Sequence, residues 1–306
     1  MSSTLLIEQT LNGVQFGLML FLLAAGLTLV LGIMDTINLA HGSLYMVGAY
    51  LTAAFAQATG SFGLAVPLAI AATAFIGVLL EATVLRRLYR RDHLSQVLAT
   101  FALILIANEL VRIVFGAQPV MLAQPAALSG FVELLPGLRY PVYRLMIIGV
   151  GVAVALALYL LVTRTRAGML VRAGASNREM ALIMGVRIKP LFTSIFALAA
   201  ALCALAGALL GPLLAVQVGM GESILILSFV VVIIGGIGSV RGALVGALLV
   251  GMVDTYGRVF VTQSLRHLLP AAVATDIGPA LASMSIYILM AAVLYFRPQG
   301  LFPARG

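Results

Sequence analysis

Leu11–Met34 reads LNGVQFGLMLFLLAAGLTLVLGIM, 24 consecutive positions without a charged side chain. As an α-helix this run rises about 36 Å, more than the roughly 30 Å of a bilayer's hydrocarbon core. Comparable apolar runs follow at roughly 44–58, 62–85, 95–115, 141–163, 191–215, 223–238, 242–258 and 281–296. The composition agrees. The 306 residues are 62% hydrophobic and 9% charged, with mean hydropathy +1.15, whereas a soluble domain carries about a quarter charged residues. Lipid cannot satisfy open backbone groups, so helices are the expected solution, and the alternating ten-residue pattern of a membrane barrel is absent. The fold expected is all-α, a polytopic transmembrane helix bundle of about 8–10 spans.

The charges orient the bundle. Arg86, Arg87, Arg90 and Arg91 form one basic connection and residues 164–190 form another, and basic connections favour the cytoplasm. The connections 116–140 and 259–280 then lie outside, with the N-terminus outside and the C-terminus, carrying Arg297 and Arg305, inside. Because the arginines sit between spans, the net charge of +8 is not a nucleic-acid signal. Cys203 is the single cysteine and lies in an apolar run, which leaves neither a disulfide framework nor a metal cluster. Residues 1–10 hold no Lys or Arg, so the basic region of a cleavable signal is not expected.

Two stretches interrupt the apolar pattern. Residues 35–43, DTINLAHGS, place Asp35, Asn38 and His41 between apolar runs, and the run after them gives only about 22 Å of helix, too short to cross comfortably. Residues 235–242, GGIGSVRG, place Gly235, Gly236 and Gly238 in a second interruption. Interrupted apolar segments point to broken helices along a transport route. On that reading Asp35, Asn38, His41 and the three glycines line a translocation pathway; on the other, the polar residues cap a helix end at the cytoplasmic surface. Glu81, Glu109 and Asp254 lie near span ends, where anchoring or capping is the simpler account, and Glu109 and Arg112 have the i, i+3 spacing of a helical pair. Gly13-xxx-Gly17, Gly207-xxx-Gly211 and the series Gly238, Gly242, Gly246 are small-residue faces suited to close helix packing.

The longest charged passage, residues 164–190, reads RTRAGMLVRAGASNREMALIMGVRIKP. Within it Ser176-Asn177-Arg178-Glu179 has the form of a capping box, and Gly185 stands where a helix end wants a left-handed residue. Met180, Ile183 and Met184 share one face of this helix of about two turns. So short a helix is marginal alone and needs a surface, either a partner's groove or the membrane interface and its own bundle. No G-x-x-x-x-G-K-[ST] occurs, no nucleophile–base set stands out, and no metal-ligand spacing appears, so no catalytic residue, bound cofactor or metal is expected.

Glu179-Met180-Ala181-xxx-Gly185 resembles the Glu-Ala-Ala-xxx-Gly loop of the membrane subunits of ATP-binding-cassette importers, with Ile188-Lys189-Pro190 following it. Asn38-Leu-Ala-His41-Gly42-Ser43-Leu-Tyr45-Met-Val-Gly48-Ala-Tyr50, Ile234-Gly-Gly-Ile-Gly238-Ser239 and the tail Arg297-Pro298-Gln-Gly300-Leu301-Phe302 resemble the permeases of branched-chain amino acid (LIV-type) importers, over residues 10 to 303. The resemblance implies a single permease domain over 1–306 in a bacterial inner membrane, with 164–190 as its cytoplasmic coupling loop. Ser176, Glu179, Met180, Ala181, Ile183, Met184 and Gly185 would dock on an ATPase. It implies two ATPase subunits that use ATP, a homologous second permease subunit or a second copy of this chain, and a periplasmic substrate-binding protein. The substrate would be a branched-chain amino acid, or a related amino acid, amide or urea. The alternative is a stand-alone ion-coupled secondary transporter or channel for a small polar solute.

Overall fold

The computed structural model describes residues 3–89, 91–176, 178–267 and 270–302, without the side chains of Ser3, Ser176, Arg178 and Glu179. In chain order the helices are α1 (Ser3–Met34), α2 (His41–Thr59), α3 (Phe62–Leu80), a π-helical turn (Glu81–Leu85), α4 (Arg86–Leu88), α5 (His93–Phe115), α6 (Val142–Arg164), α7 (Arg166–Ser176), α8 (Arg178–Ile183), α9 (Ile188–Leu210), α10 (Met220–Gly235), α11 (Val240–Leu265) and α12 (Ala271–Phe296). Seven of these segments are long and apolar enough to cross a membrane. With α2 (19 residues) and α10 (16 residues), packed on α9 and α11, the bundle reaches nine, inside the expected range.

α1 is the axis. Of its most apolar stretch 83% is buried, and Leu20, Leu22, Leu23 and Leu27 are wholly enclosed, because α6, α9, α10 and α11 surround it. A helix apolar on every side belongs in such a position. α5, α6 and α12 bury only 17% of theirs and turn Ile106, Ile113, Leu156 and Ile288 outward, the surface a lipid-facing helix presents. Small residues set the closest contacts. A Cβ on Gly17 would stand 2.8 Å from Ala247 O, and one on Gly251 only 2.5 Å from Gly17 N, so α1 and α11 touch backbone to backbone. Gly207 meets Tyr45 and Ala49 of α2 in the same way.

The first interruption is re-entrant. His41 Nε2 lies 3.1 Å from Leu23 O, and Leu23 is three turns, about 16 Å, before the end of α1. Residues 35–40 therefore double back into the bundle, and α2 begins inside it. This agrees with the reading of residues 35–43 as a break between helices and removes the difficulty of a span that is too short. α10 starts beside it, since a Cβ on Gly42 would stand 2.3 Å from Gly221 O.

The expected outer connection 259–280 is corrected: α11 runs on to Leu265 and α12 starts at Ala271. The apolar density there is low because α12 packs through small residues. Ala274, Gly278 and Ala282 are buried at four-residue spacing, and Gly278 faces Thr262 of α11. The 116–140 connection carries an antiparallel hairpin, β1 (Phe131–Leu135) and β2 (Leu138–Pro141), turned at Gly137 with φ 84°. Val120 and Val216 exchange backbone bonds of 2.8 and 2.9 Å, fastening this connection to the one after α9. On the basic side, Asp92 caps α5: its carboxylate accepts from Ser95 N–H at 3.0 Å and Ser95 Oγ–H at 2.7 Å. Those bonds hold its pKa below the usual aspartate value.

Candidate functional site

The segment between α6 and α9 folds as two short helices. α7 lies against the bundle through Val171, which is buried, and through Gly174, which faces Ile33 and Leu191. α8 ends in a Schellman motif: Val186 N–H donates to Ala181 O and Gly185 N–H to Leu182 O, each at 3.0 Å, with Gly185 at φ 84°. The stop signal read at Gly185 is thus present. The capping box read at Ser176 and Glu179 lies outside the described side chains.

Ala181 is 4% exposed and turned into the core, whereas Met180, Ile183 and Met184 are 54%, 80% and 79% exposed. The face expected from the spacing is formed, and it points away from the bundle. Large apolar side chains so open, on a helix stopped at Gly185 within a segment of six basic residues, form an exposed apolar patch.

Beside α7 a cleft of about 1360 Å³ opens among the ends of α1, α6, α10 and α12 and the start of α11. It exceeds the roughly 300–1,000 Å³ of small-molecule pockets, which suits a vestibule. Asp35, Gly238, Arg172, Arg241 and Tyr159 line it. Asp35 is exposed, has φ 51°, and makes no ion pair among the described residues. The Arg241 guanidinium lies 5.0 Å from the centre of the Tyr159 ring and donates to its hydroxyl at 3.2 Å. A carboxylate without an ion pair among the described residues and two arginines therefore line one cleft.

The structure divides the other pathway candidates. Asp35 and Gly238 meet at the cleft, but Asn38 and His41 are buried behind it, 2% and 0% exposed. Asn38 Oδ1 accepts from Ala40 N–H at 3.0 Å, turning the chain into α2. His41 Nε2 lies 3.1 Å from Cys203 Sγ as well as from Leu23 O, a lock between α1, α2 and α9. Gly235 packs on Gly242, where a Cβ would stand 2.3 Å from its carbonyl oxygen.

Gly236 and the tail form one joint. Leu301 and Phe302 N–H groups donate to Ile234 O and Gly235 O at 2.9 Å each, satisfying carbonyls that the end of α10 leaves open. Gly300, at φ 82°, sits where a Cβ would lie 2.6 Å from Gly236. Gly238 N–H in turn donates to Thr28 Oγ1 of α1 at 2.9 Å. Two of the motifs quoted from the sequence are thus a single structural unit on the rim of the cleft.

One cluster was not foreseen as a cluster. Glu81, whose side chain is fully buried, receives Arg86 Nη2 at 2.7 Å, Thr193 Oγ1 at 2.7 Å and Tyr89 OH at 3.2 Å. Glu81 and Arg86 are five residues apart, which an α-helix sets roughly 140° apart. The π turn brings them together, and nothing in the residue types announces a π turn. Glu109 and Arg112 pair at 3.0 Å as their spacing indicated, both exposed.

Comparison with known proteins places this geometry. Residues 9–294 match the family model described as branched-chain amino acid transport system / permease component. The chain is 29% identical over 308 residues to the high-affinity branched-chain amino acid transport system permease protein BraD of Pseudomonas aeruginosa, covering 96% of this chain and 95% of that one. It is 24% identical over 291 residues to LivH of Escherichia coli, a protein of the same description, covering 87% and 90%. It is 28% identical over 250 residues to the probable branched-chain amino acid transport permease protein LivH of Methanocaldococcus jannaschii, covering 78% and 76%. No solved structure gives a significant match. A membrane helix bundle whose quoted motifs form its re-entrant break and its tail joint, matched along nearly its whole length, belongs to the branched-chain amino acid transport permease family.

Proposed function

We propose that this chain is the membrane-spanning permease of an ATP-driven importer of branched-chain amino acids in a bacterial inner membrane. The observation that carries the reading is the open face of Met180, Ile183 and Met184 on a helix locked by Gly185. A face so apolar would not stay in water unaccompanied, and a Met-rich surface adapts well to a protein groove.

In this reading α7, α8, the 86–92 turn and the tail are cytoplasmic, and the N-terminus, the hairpin and the 211–219 connection face outward. An ATPase subunit, one on each of two permease chains, receives α8 and supplies the ATP chemistry. The second permease is a homologous subunit or another copy of this chain. A periplasmic binding protein delivers substrate to the outer side. Motion of α8 reaches the bundle through α9, which begins three residues after Gly185. The cleft bordered by Asp35, Arg172 and Arg241 is the cytoplasmic mouth, whose separated opposite charges suit a zwitterion. The branched-chain assignment is supported by the names of the relatives, which describe permeases for those amino acids.

The test is association. Wild-type chain co-expressed with the ATPase of its transport system is expected to co-purify with it, and the double variant Ile183→Asp, Met184→Asp to lose the ATPase while remaining in the membrane. Undiminished co-purification of that variant contradicts the docking role of α8.

A further inference from the structure

A small cavity lies between the α1–α2 break and the first turns of α5. Its volume is about 10 Å³, and Ile37, Leu85 and Leu88 line it together with Asn38, Gln96 and Thr100. That is the lower bound of what one water molecule occupies, roughly 10–15 Å³, and too little for two.

The polar atoms around it are complementary. Asn38 is 2% exposed and Gln96 3%. Asn38 Oδ1 is engaged by Ala40 N–H at 3.0 Å, which leaves Asn38 Nδ2, a donor, with no partner among the described residues. Gln96 Nε2 donates to Leu88 O at 3.3 Å and Arg91 O at 3.0 Å, which leaves Gln96 Oε1, an acceptor, with no partner among the described residues. The engaged halves of both amides fix their orientation, so neither can be reversed without losing a bond. Thr100 Oγ1 gives its proton to Gln96 O at 2.9 Å and keeps lone pairs free. A buried donor and a buried acceptor, each costly to leave unmet, thus belong to two residues that line a space of one-water size.

We infer that this cavity is a binding site for one ordered water molecule, which accepts from Asn38 Nδ2 and donates to Gln96 Oε1, with its second proton available to Thr100 Oγ1. The water is the joint between two segments that share no direct side-chain bond across it. Asn38 belongs to the re-entrant turn, and Gln96 grips the turn between α4 and α5.

The full-length chain, with its partners or in a nanodisc, supplies the test. A map fine enough to resolve ordered water is expected to show one peak roughly 2.7–3.2 Å from both Asn38 Nδ2 and Gln96 Oε1. Independently, Asn38→Ala and Gln96→Ala are each expected to lower the melting temperature by several degrees, and the double variant by less than the two shifts added, because either change already breaks the bridge. The cycle cancels the separate losses at Ala40, Leu88 and Arg91. A map with the two amides in direct contact and no peak overturns the inference, and so do additive shifts. The map needs no variant, so a substitution that prevents folding leaves the test intact.

Discussion

Thr193 Oγ1 donates to Glu81 Oε2 at 2.7 Å, and Arg86 Nη2 reaches both groups, at 2.9 and 2.7 Å. Thr193 lies in the second turn of α9, directly after the proposed docking helix, and Glu81 opens the π turn that ends α3. Any displacement of α8 that moves the start of α9 therefore pulls on a buried carboxylate.

Removing the hydroxyl isolates this contact. Thr193→Val keeps the shape and loses a hydrogen bond to a charged group, which is worth about 1.5–3 kcal/mol. We expect the purified chain to lose stability by that amount in denaturant or thermal unfolding, with Thr193→Ser largely restoring it. Equal losses in both variants would show that packing, not the hydroxyl, makes the contact.

Gly185→Ala meets no steric obstacle, since nothing lies within 4 Å of its Cβ position. Its cost comes from φ 84° alone, about 1–2 kcal/mol for a residue with a side chain in the left-handed region. Association with the ATPase should weaken by about 5- to 30-fold in a binding titration. The backbone amide of Val186 should also exchange faster.

Gly300→Val attacks the tail joint, where both the φ of 82° and the 2.6 Å approach to Gly236 exclude a side chain. The two bonds from Leu301 and Phe302 to the end of α10 should be lost together, costing about 1–3 kcal/mol. Limited proteolysis would then cut the tail in the variant and spare it in the wild type.

Asp92 gives a pH dependence of known sign. Its folded pKa is depressed by Ser95, so its capping contribution is complete above the ordinary aspartate value of about 3.9 and drains away as pH falls through the lower folded value. Protection of the Ser95 amide, referred to the unfolded peptide at each pH, should drop on acidification. Asp92→Asn keeps a capping oxygen without titrating and should show a flat profile.

Much of this architecture was legible in residue pattern. The charge-free run at Leu11–Met34 marks α1, and Gly185 with Met180, Ile183 and Met184 marks a stopped helix with an apolar face. These signals are local and follow from helix periodicity. What escaped is long-range or concealed by composition. Residue pattern puts the start of α2 near residue 44 because His41 and Asn38 are polar and interrupt the apolar run, while their bonds are to Leu23 and Ala40 inside the bundle. The first half of α12 was missed because Ala274, Gly278 and Ala282 pack by being small, not by being greasy. Glu81 and Arg86 were seen separately because their pairing depends on a π turn. The tail motif gave no hint that it satisfies the carbonyls of Ile234 and Gly235, some sixty residues earlier in the chain.

The central claim is that this chain moves its substrate only when an ATPase acts on the α8 face, and uptake into proteoliposomes measures it directly. Chain, second permease, ATPase and binding protein are reconstituted together, and radiolabelled leucine is followed with and without ATP and with an ionophore. The account predicts uptake that requires both ATP and the ATPase, survives the ionophore, and is lost in the Ile183→Asp, Met184→Asp variant. Uptake by the chain without the ATPase, abolished by the ionophore, would contradict it.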